Sequence, residues 1–139
     1  MNTSATCLPT PSAPAQTTAV TWDDQAVVRL VGDRPAMQQR LLLKFLSTSA
    51  DTLAALRQAG STGDWVEVGR HAHSLKSAAR SVGAMALGDH CWALEQAAKA
   101  TDVQQCHALC TELPVLADRV SRLIGAHLQS ASTVDGAVL

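Results

Sequence analysis

The sequence predicts an all-α protein, an antiparallel up-down four-helix bundle with a short additional N-terminal helix. Hydrophobic residues make up 47% of its 139 residues, which is enough to form a core. Aromatic residues make up only 3%, a composition that disfavours β-sandwiches and barrels. From Trp22 onward, apolar residues recur at helical spacing between short breaks, and short connections favour antiparallel neighbours.

The bundle is expected to span residues 21–128, between two less regular ends. Residues 1–20 carry no charged side chain and are rich in Ser, Thr, Ala and Pro, which predicts a disordered leader. This segment lacks the basic start and apolar stretch of a secretory signal, and no apolar run in the chain is long enough to cross a membrane. Residues 129–139 are expected to form a flexible tail. We therefore expect a cytoplasmic protein.

Start and stop residues divide the chain into five predicted helices. Pro35 is suited to the first position of the second helix, and Gly60 and Gly83 are expected to end the second and third. Pro114 is expected to kink the fifth helix. The predicted ranges are 23–31, 35–59, from the 61–64 connection to 82, 85–100 and 102–128. The inward face of the fifth helix is predicted to carry Cys106, Leu109, Leu113, Leu116, Val120 and Leu123.

The third helix combines a buried stripe with a polar face. With about 100° of rotation per residue, five apolar residues lie about 180–260° from His73. Lys76, Ser77 and Arg80 lie within about 60° of His73 and are expected to be exposed with it. The predicted buried stripe consists of Val68, Ala72, Leu75, Ala79 and Val82.

His73 is the candidate functional residue because its imidazole is predicted to face solvent. An unperturbed imidazole has a pKa near 6.5, so at neutral pH one ring nitrogen keeps a lone pair that can attack phosphorus. The product would carry about two negative charges, which Lys76 and Arg80 are placed to attract. The small residues Gly69 and Ser77 would leave room for another protein.

Val66 lies on the same face and could offer that protein an apolar contact. From periodicity alone, an ordinary solvated helix face remains the alternative to this site. His71 lies about 160° from His73, at the edge of the stripe, and is assigned no role.

Other functional classes find less support in the sequence. A formal charge of −1 without basic clusters disfavours binding to nucleic acid or to a membrane surface. The chain has no Gly-x-x-x-x-Gly-Lys loop for a nucleotide. Its four cysteines, expected to be reduced, show no metal-ligand spacing with the histidines, although a metal-binding helical protein remains an alternative.

The polar face carries a recognisable motif. Residues 72–79, Ala-His-Ser-Leu-Lys-Ser-Ala-Ala, followed by Val82-Gly83-Ala84, resemble the motif of histidine-containing phosphotransfer (HPt) domains, the intermediate carriers of phosphorelays. The resemblance extends over about residues 21–128 and includes Gly63-Asp64-Trp65 and Leu94-Glu95.

The resemblance implies a role for each matching residue. His73 would accept the phosphoryl group, Lys76 would assist it electrostatically, and Gly83 would close the helix. Ser77 departs from the family, which usually has Gly there, so its effect on partner choice is open.

The resemblance also implies a function and its partners. The chain would accept a phosphoryl group from an aspartyl phosphate on the receiver domain of a hybrid histidine kinase and pass it to a response regulator. It would be a carrier without kinase activity and would need no cofactor of its own, since the divalent cation would be bound by the receiver. Leu43 and Phe45 are candidate contacts for that partner, although Phe45 is expected to be mainly core. A bundle that docks a receiver or kinase without carrying phosphate is the main alternative.

Overall fold

The computed structural model describes residues 20–138, with side chains from Val20 to Ala131. The rest of the predicted leader, including Cys7, lies outside the described residues. Five helices follow one another: α1 (Gln25–Val31), α2 (Pro35–Thr62), α3 (Trp65–Val82), α4 (Met85–Lys99) and α5 (Val103–Val138). Helices α2 to α5 form the bundle and α1 packs on α2 and α3, so the predicted fold class is confirmed. No described helix has the length and apolar character needed to span a membrane.

Helix α2 ends later than predicted. Gly63, not Gly60, adopts the left-handed conformation (φ 76°) that caps the helix, and its amide bonds to the carbonyls of Ala59 and Gly60. Gly60 lies inside the helix, where an added Cβ would be 3.7 Å from Cys110 Sγ. This glycine therefore serves the packing of α2 against α5. Asp64 then caps α3, because its carboxylate accepts from the Glu67 amide.

The core follows the predicted faces, with two exceptions. All five apolar residues of the α3 stripe are buried, as are Phe45 and the unpredicted Leu42 on α2. On α5, Leu123 is 43% exposed and its inward prediction is wrong. Val120 and Ile124, four residues apart, occupy the buried line there, so Leu123 falls on its flank.

Helix α5 continues to Val138, beyond the end predicted at Leu128, and Pro114 lies inside it without ending it. The segment after Leu128 contains no proline to stop the helix, although it consists largely of small and polar residues.

The turn between α3 and α4 is closed by the N-terminal segment. Gly83 has a φ of 94°, and its carbonyl accepts from the Asp23 amide at 2.9 Å. The Trp22 indole donates to the Val82 carbonyl, also at 2.9 Å. An added Cβ on Gly83 would collide with the Asp23 carbonyl oxygen and lie 2.7 Å from Ala26 Cβ. Glycine is therefore required in the turn between α3 and α4, because Asp23 and α1 pack directly against it.

Candidate functional site

His73 stands on the solvent side of α3, with 61% of its side chain exposed. Its Nδ1 atom lies 2.9 Å from Oε2 of Glu95, on the neighbouring helix α4. One nitrogen of the ring is thus held at the helix interface, while most of the ring stays accessible. This arrangement joins α3 to α4 at the point where the sequence places its candidate nucleophile.

Glu95 is the centre of the polar network. It is the one buried charged residue in the described part of the chain, at 6% exposed. Its Oε1 accepts from Lys76 Nζ at 2.8 Å, and Lys99 Nζ lies 3.6 Å from its Oε2. The hydrogen bond from Lys76 lowers the pKa of the Glu95 carboxyl, burial opposes that shift, and the bond to His73 supports it. The carboxylate is therefore ionised at neutral pH.

Lys76 does not stand in solvent, so the prediction that it is exposed is wrong. Only 15% of its side chain is accessible, and its ammonium group bonds to Glu95 across the helix interface. A buried carboxylate needs a charged partner, and this requirement outweighs the tendency of lysine to extend into water.

Arg80 lies over α4. Its side chain crosses Gly88, where an added Cβ would be 2.7 Å from Arg80 Cγ. Its guanidinium donates to Oδ1 of Asp89 at 3.2 Å. Arg80 is partly exposed on the predicted face, but its charge is engaged by Asp89 and not directed at His73.

The other predicted site residues divide into packing and surface positions. An added Cβ on Gly69 would lie 3.3 Å from Ala98 Cβ, so this glycine brings α3 close to α4. Gly69 therefore has a packing role one turn before His73, and that it also leaves room for a partner stays a prediction. Ser77 and Val66 are exposed, Val66 by 76%. Gly83 lies in the buried turn described above.

An open groove of about 720 Å³ runs along the α3–α4 surface beside His73. Its lining combines apolar and small residues with charged groups. Its lining includes Trp65, Val66, Gly69, Arg70, His71, His73, Ser74, Glu95, Ala98, Lys99 and Thr101. The ring of His73 therefore borders a concave surface that another molecule can enter.

The remaining histidines make different contacts. His71 is partly buried, with Nε2 3.6 Å from Oε1 of Glu67 in the preceding turn. His90 Nε2 bonds to the Leu109 carbonyl at 2.8 Å. The rings of His107 and His127 pack edge-on against Trp65 and Trp22. Of the five, His73 combines high exposure with a contact to a buried carboxylate.

The described cysteines are free thiols that serve packing. Cys91 and Cys106 are buried and Cys110 is partly buried. Burial raises the pKa of the Cys91 thiol to about 12, so it is protonated at neutral pH. Within the described part of the chain, no three His, Cys, Asp or Glu side chains are grouped so that they could hold a metal ion.

Glu95 is the functional-site residue that the sequence analysis did not single out. Its signal was present, because Glu95 follows Leu94 and lies beside the apolar face that carries Cys91. A carboxylate at the edge of a buried face requires a partner, and the basic residues of α3 were the candidates. Which of them it contacts depends on the register of two helices, which periodicity within one helix does not give.

Two comparisons with known proteins found a match, and both concern the family and the fold. The family model of the Hpt domain matches residues 40–126, which is more than half of the chain. The structure is similar to the crystal structure of histidine-containing phosphotransfer protein B (HptB) from Pseudomonas aeruginosa PAO1, with a TM-score of 0.75 and 27% sequence identity. The alignment covers 81% of this chain and 97% of that one. No curated protein sequence matched. The family-model match over more than half of the chain shows that the chain belongs to the Hpt domain family, whose role is histidine phosphotransfer in phosphorelays, and the structural match agrees with it.

Proposed function

We propose that this protein accepts a phosphoryl group on Nε2 of His73 from an aspartyl phosphate of one receiver domain and passes it to the aspartate of another. The observation that carries the proposal is the 2.9 Å contact between His73 Nδ1 and the buried Glu95 carboxylate. Hpt domains act as carriers rather than kinases and work with receiver domains in two-component phosphorelays.

Glu95 sets which ring nitrogen is nucleophilic. An ionised carboxylate only accepts hydrogen bonds, so Nδ1 of His73 must carry the hydrogen of this contact. In the neutral ring Nε2 then has the free lone pair. Since Nδ1 is at the helix interface and 61% of the side chain is accessible, Nε2 is the nitrogen that can meet a partner. Glu95 is thus a positioning residue for the nucleophile.

The transfer step uses this ring without a separate base. The Nε2 lone pair forms a bond to phosphorus while the bond between phosphorus and the aspartate oxygen breaks, and the electron pair leaves with the carboxylate. The imidazole becomes a cation. Its Nδ1 keeps the hydrogen and donates it in the hydrogen bond to Glu95, whose negative charge stabilises the cation. Attack by the next receiver's carboxylate oxygen reverses the step and restores the neutral ring.

Lys76 and the partner complete the charge balance. Lys76 lies one helical turn from His73 on α3, and its ammonium group is held there by Glu95. In this position its positive charge stabilises the negative charge of the phosphoryl group. The divalent cation that helps to neutralise the phosphoryl oxygens is assigned to the receiver. The contribution of this chain is positioning, and the full arrangement of charges exists in the complex.

A phosphotransfer assay tests the proposal. Purified receiver domains from the same organism are phosphorylated on aspartate with a radioactive phosphoryl donor and mixed with the protein. We expect at least one of them to give a label on this chain that is labile in acid and stable in base. The label should be lost in His73→Gln and kept in His71→Gln, its neighbour on the same helix. A label that persists in His73→Gln, or its absence with every receiver, contradicts the proposal.

The role of Glu95 has its own test. In Glu95→Gln the side-chain oxygen would still accept from Lys76, which turns the amide group towards Nδ1. The ring would then keep its hydrogen on Nε2, and we expect transfer to slow by about tenfold or more. Nitrogen-15 NMR of His73 should show this change of tautomer in a variant that remains folded. An unchanged tautomer with unchanged transfer would remove Glu95 from the mechanism.

A further inference from the structure

Trp92 is a large apolar residue that the fold leaves at the surface. It lies on the outer face of α4 and is 50% exposed. The chain has three tryptophans, and the other two have contacts within the fold. Trp22 donates to the Val82 carbonyl, and Trp65 packs against His107. The burial of Trp92 in the folded chain is incomplete, so its ring is available to another molecule.

The position of Trp92 places it beside the proposed phosphorylation site. It precedes Glu95 by three residues and follows Asp89 by three, so it is one turn from each along α4. Glu95 contacts His73 and Asp89 contacts Arg80. Along α4, Trp92 therefore lies between Glu95 and Asp89, the two residues whose carboxylates contact α3, and its ring is on the solvent side.

A protein that reaches His73 must cover this region. Transfer requires the partner's aspartate to come within bonding distance of Nε2, which brings the surface around that aspartate onto α3 and α4. A standard interface covers about 800 Å² on each partner, a patch of about 16 Å radius. Since one helical turn is about 5.4 Å, Trp92 falls inside a patch of this size centred on His73.

We propose that Trp92 is a specificity-determining anchor for the receiver domain, and that this partner covers the outer face of α4 as well as the His73 face of α3. The inference rests on the proposed function and adds the partner's chemistry, namely an apolar recess beside its phosphorylated aspartate. Tryptophan is enriched among the few residues that dominate binding energy, because a rigid ring buries a large area at small entropic cost. Val66, exposed on the other side of His73, offers a second apolar contact.

The test separates docking from chemistry. Initial rates of transfer are measured over a range of concentrations of the phosphorylated receiver that labels the wild-type protein fastest. We expect Trp92→Ala to raise KM by about tenfold and to change kcat by less than about threefold, as a lost anchor residue would. Trp92→Phe, which keeps an aromatic ring, should recover most of the loss. Val115→Ala, which truncates a 61% exposed apolar residue on α5, should behave as wild type.

Each outcome decides between the two claims. If the wild-type protein is labelled and Trp92→Ala leaves KM unchanged, the anchor is overturned and the proposed function stands. If labelling of Trp92→Ala by phosphoramidate, a small donor that needs no docking, falls by the same factor as labelling by the receiver, the effect lies at His73 and the anchor is again overturned. If no receiver labels the wild-type protein, the proposed function fails and the anchor fails with it.

Discussion

The α3–α4 hairpin and the α2–α5 pair differ in how their two helices are held together. Between α3 and α4, Gly69 and Gly88 allow close approach, and a buried carboxylate is held by basic residues of the facing helix. Between α2 and α5, an apolar groove of about 230 Å³ remains, and no ion pair joins the two helices within the described residues. The site needs a fixed distance between two helices, whereas the opposite side needs only burial. The hairpin should therefore tolerate substitution less well than the α2–α5 pair.

Gly83→Ala should cause the largest loss in the free energy of unfolding, because Gly83 lies in the turn that connects α3 to α4. The alanine would combine a left-handed backbone with a Cβ that collides with the Asp23 carbonyl oxygen. The backbone term alone costs about 1–2 kcal/mol, and with the collision we expect a loss of about 3 kcal/mol or more. Urea denaturation measures this as a lower midpoint.

Gly63→Ala is the matched control on the other side. Gly63 caps α2 with a similar φ of 76°, but an added Cβ there meets no atom within 4 Å. Only the backbone term remains, so we expect a loss of about 1–2 kcal/mol. Equal losses for the two variants would show that the N-terminal segment does not hold the α3–α4 turn.

Lys76→Ala should destabilise the protein as well as slow transfer. It removes the 2.8 Å bond to Glu95 and leaves a buried carboxylate with less compensation, for which we expect a loss of about 1–3 kcal/mol. The control is Arg122→Ala, which breaks the exposed pair with Asp118 on α5 and should cost less than about 0.5 kcal/mol. Thermal melts compare the two, and equal small losses would mean that the Lys76 bond adds nothing to stability.

The sequence predicted the features that depend on one helix at a time. The α3 stripe from Val68 to Val82 was found because burial on a helix repeats with its turn. Gly83 was identified as the end of α3 because glycine readily adopts the left-handed conformation that ends a helix. The end of α2 was misplaced because Gly60 and Gly63 offer the same local signal, and only the packing against Cys110 assigns Gly60 to the helix interior.

Features that depend on two helices were not predicted. Lys76 and Arg80 share a face with His73 in any helical projection, yet each is engaged by a carboxylate of α4. The direction of these two side chains depends on how closely α3 and α4 approach each other and on their register. Gly69 and Gly88 allow a close approach, but their presence in the sequence does not predict it. The resemblance of residues 72–84 to HPt domains suggested the proposed role of His73, but it did not reveal the contacts of Glu95 with His73 and Lys76.

Glu95→Gln should lose stability in a way that depends on pH. The pKa of the Glu95 carboxyl is lowered in the folded protein, so its contribution is complete above the ordinary glutamate pKa of about 4.3. That contribution is lost as the pH falls through the lower folded-state pKa. We therefore expect wild type to exceed Glu95→Gln by about 1–2 kcal/mol at pH 6, and the difference to shrink below about pH 4.

Urea titrations from pH 3 to pH 7 measure this difference. Glu112→Gln, an exposed position on α5, is the control and should stay within about 0.5 kcal/mol of wild type throughout. A difference for Glu95→Gln that is the same at pH 3 and pH 6 would contradict the assigned charge of the carboxylate.

Ala117→Leu should change the free energy of unfolding least, and it should stabilise the protein. Ala117 lines the α2–α5 groove, where a larger apolar side chain can fill open space, so we expect a gain of about 0.5–1 kcal/mol with transfer unchanged. The same enlargement at Ala98, whose Cβ would lie 3.3 Å from a Cβ on Gly69, should cost about 1–3 kcal/mol. It should also slow transfer, since pushing α3 away from α4 separates His73 from Glu95. If both enlargements proved equally harmless, the contrast between a tight hairpin and a loose opposite side would be wrong.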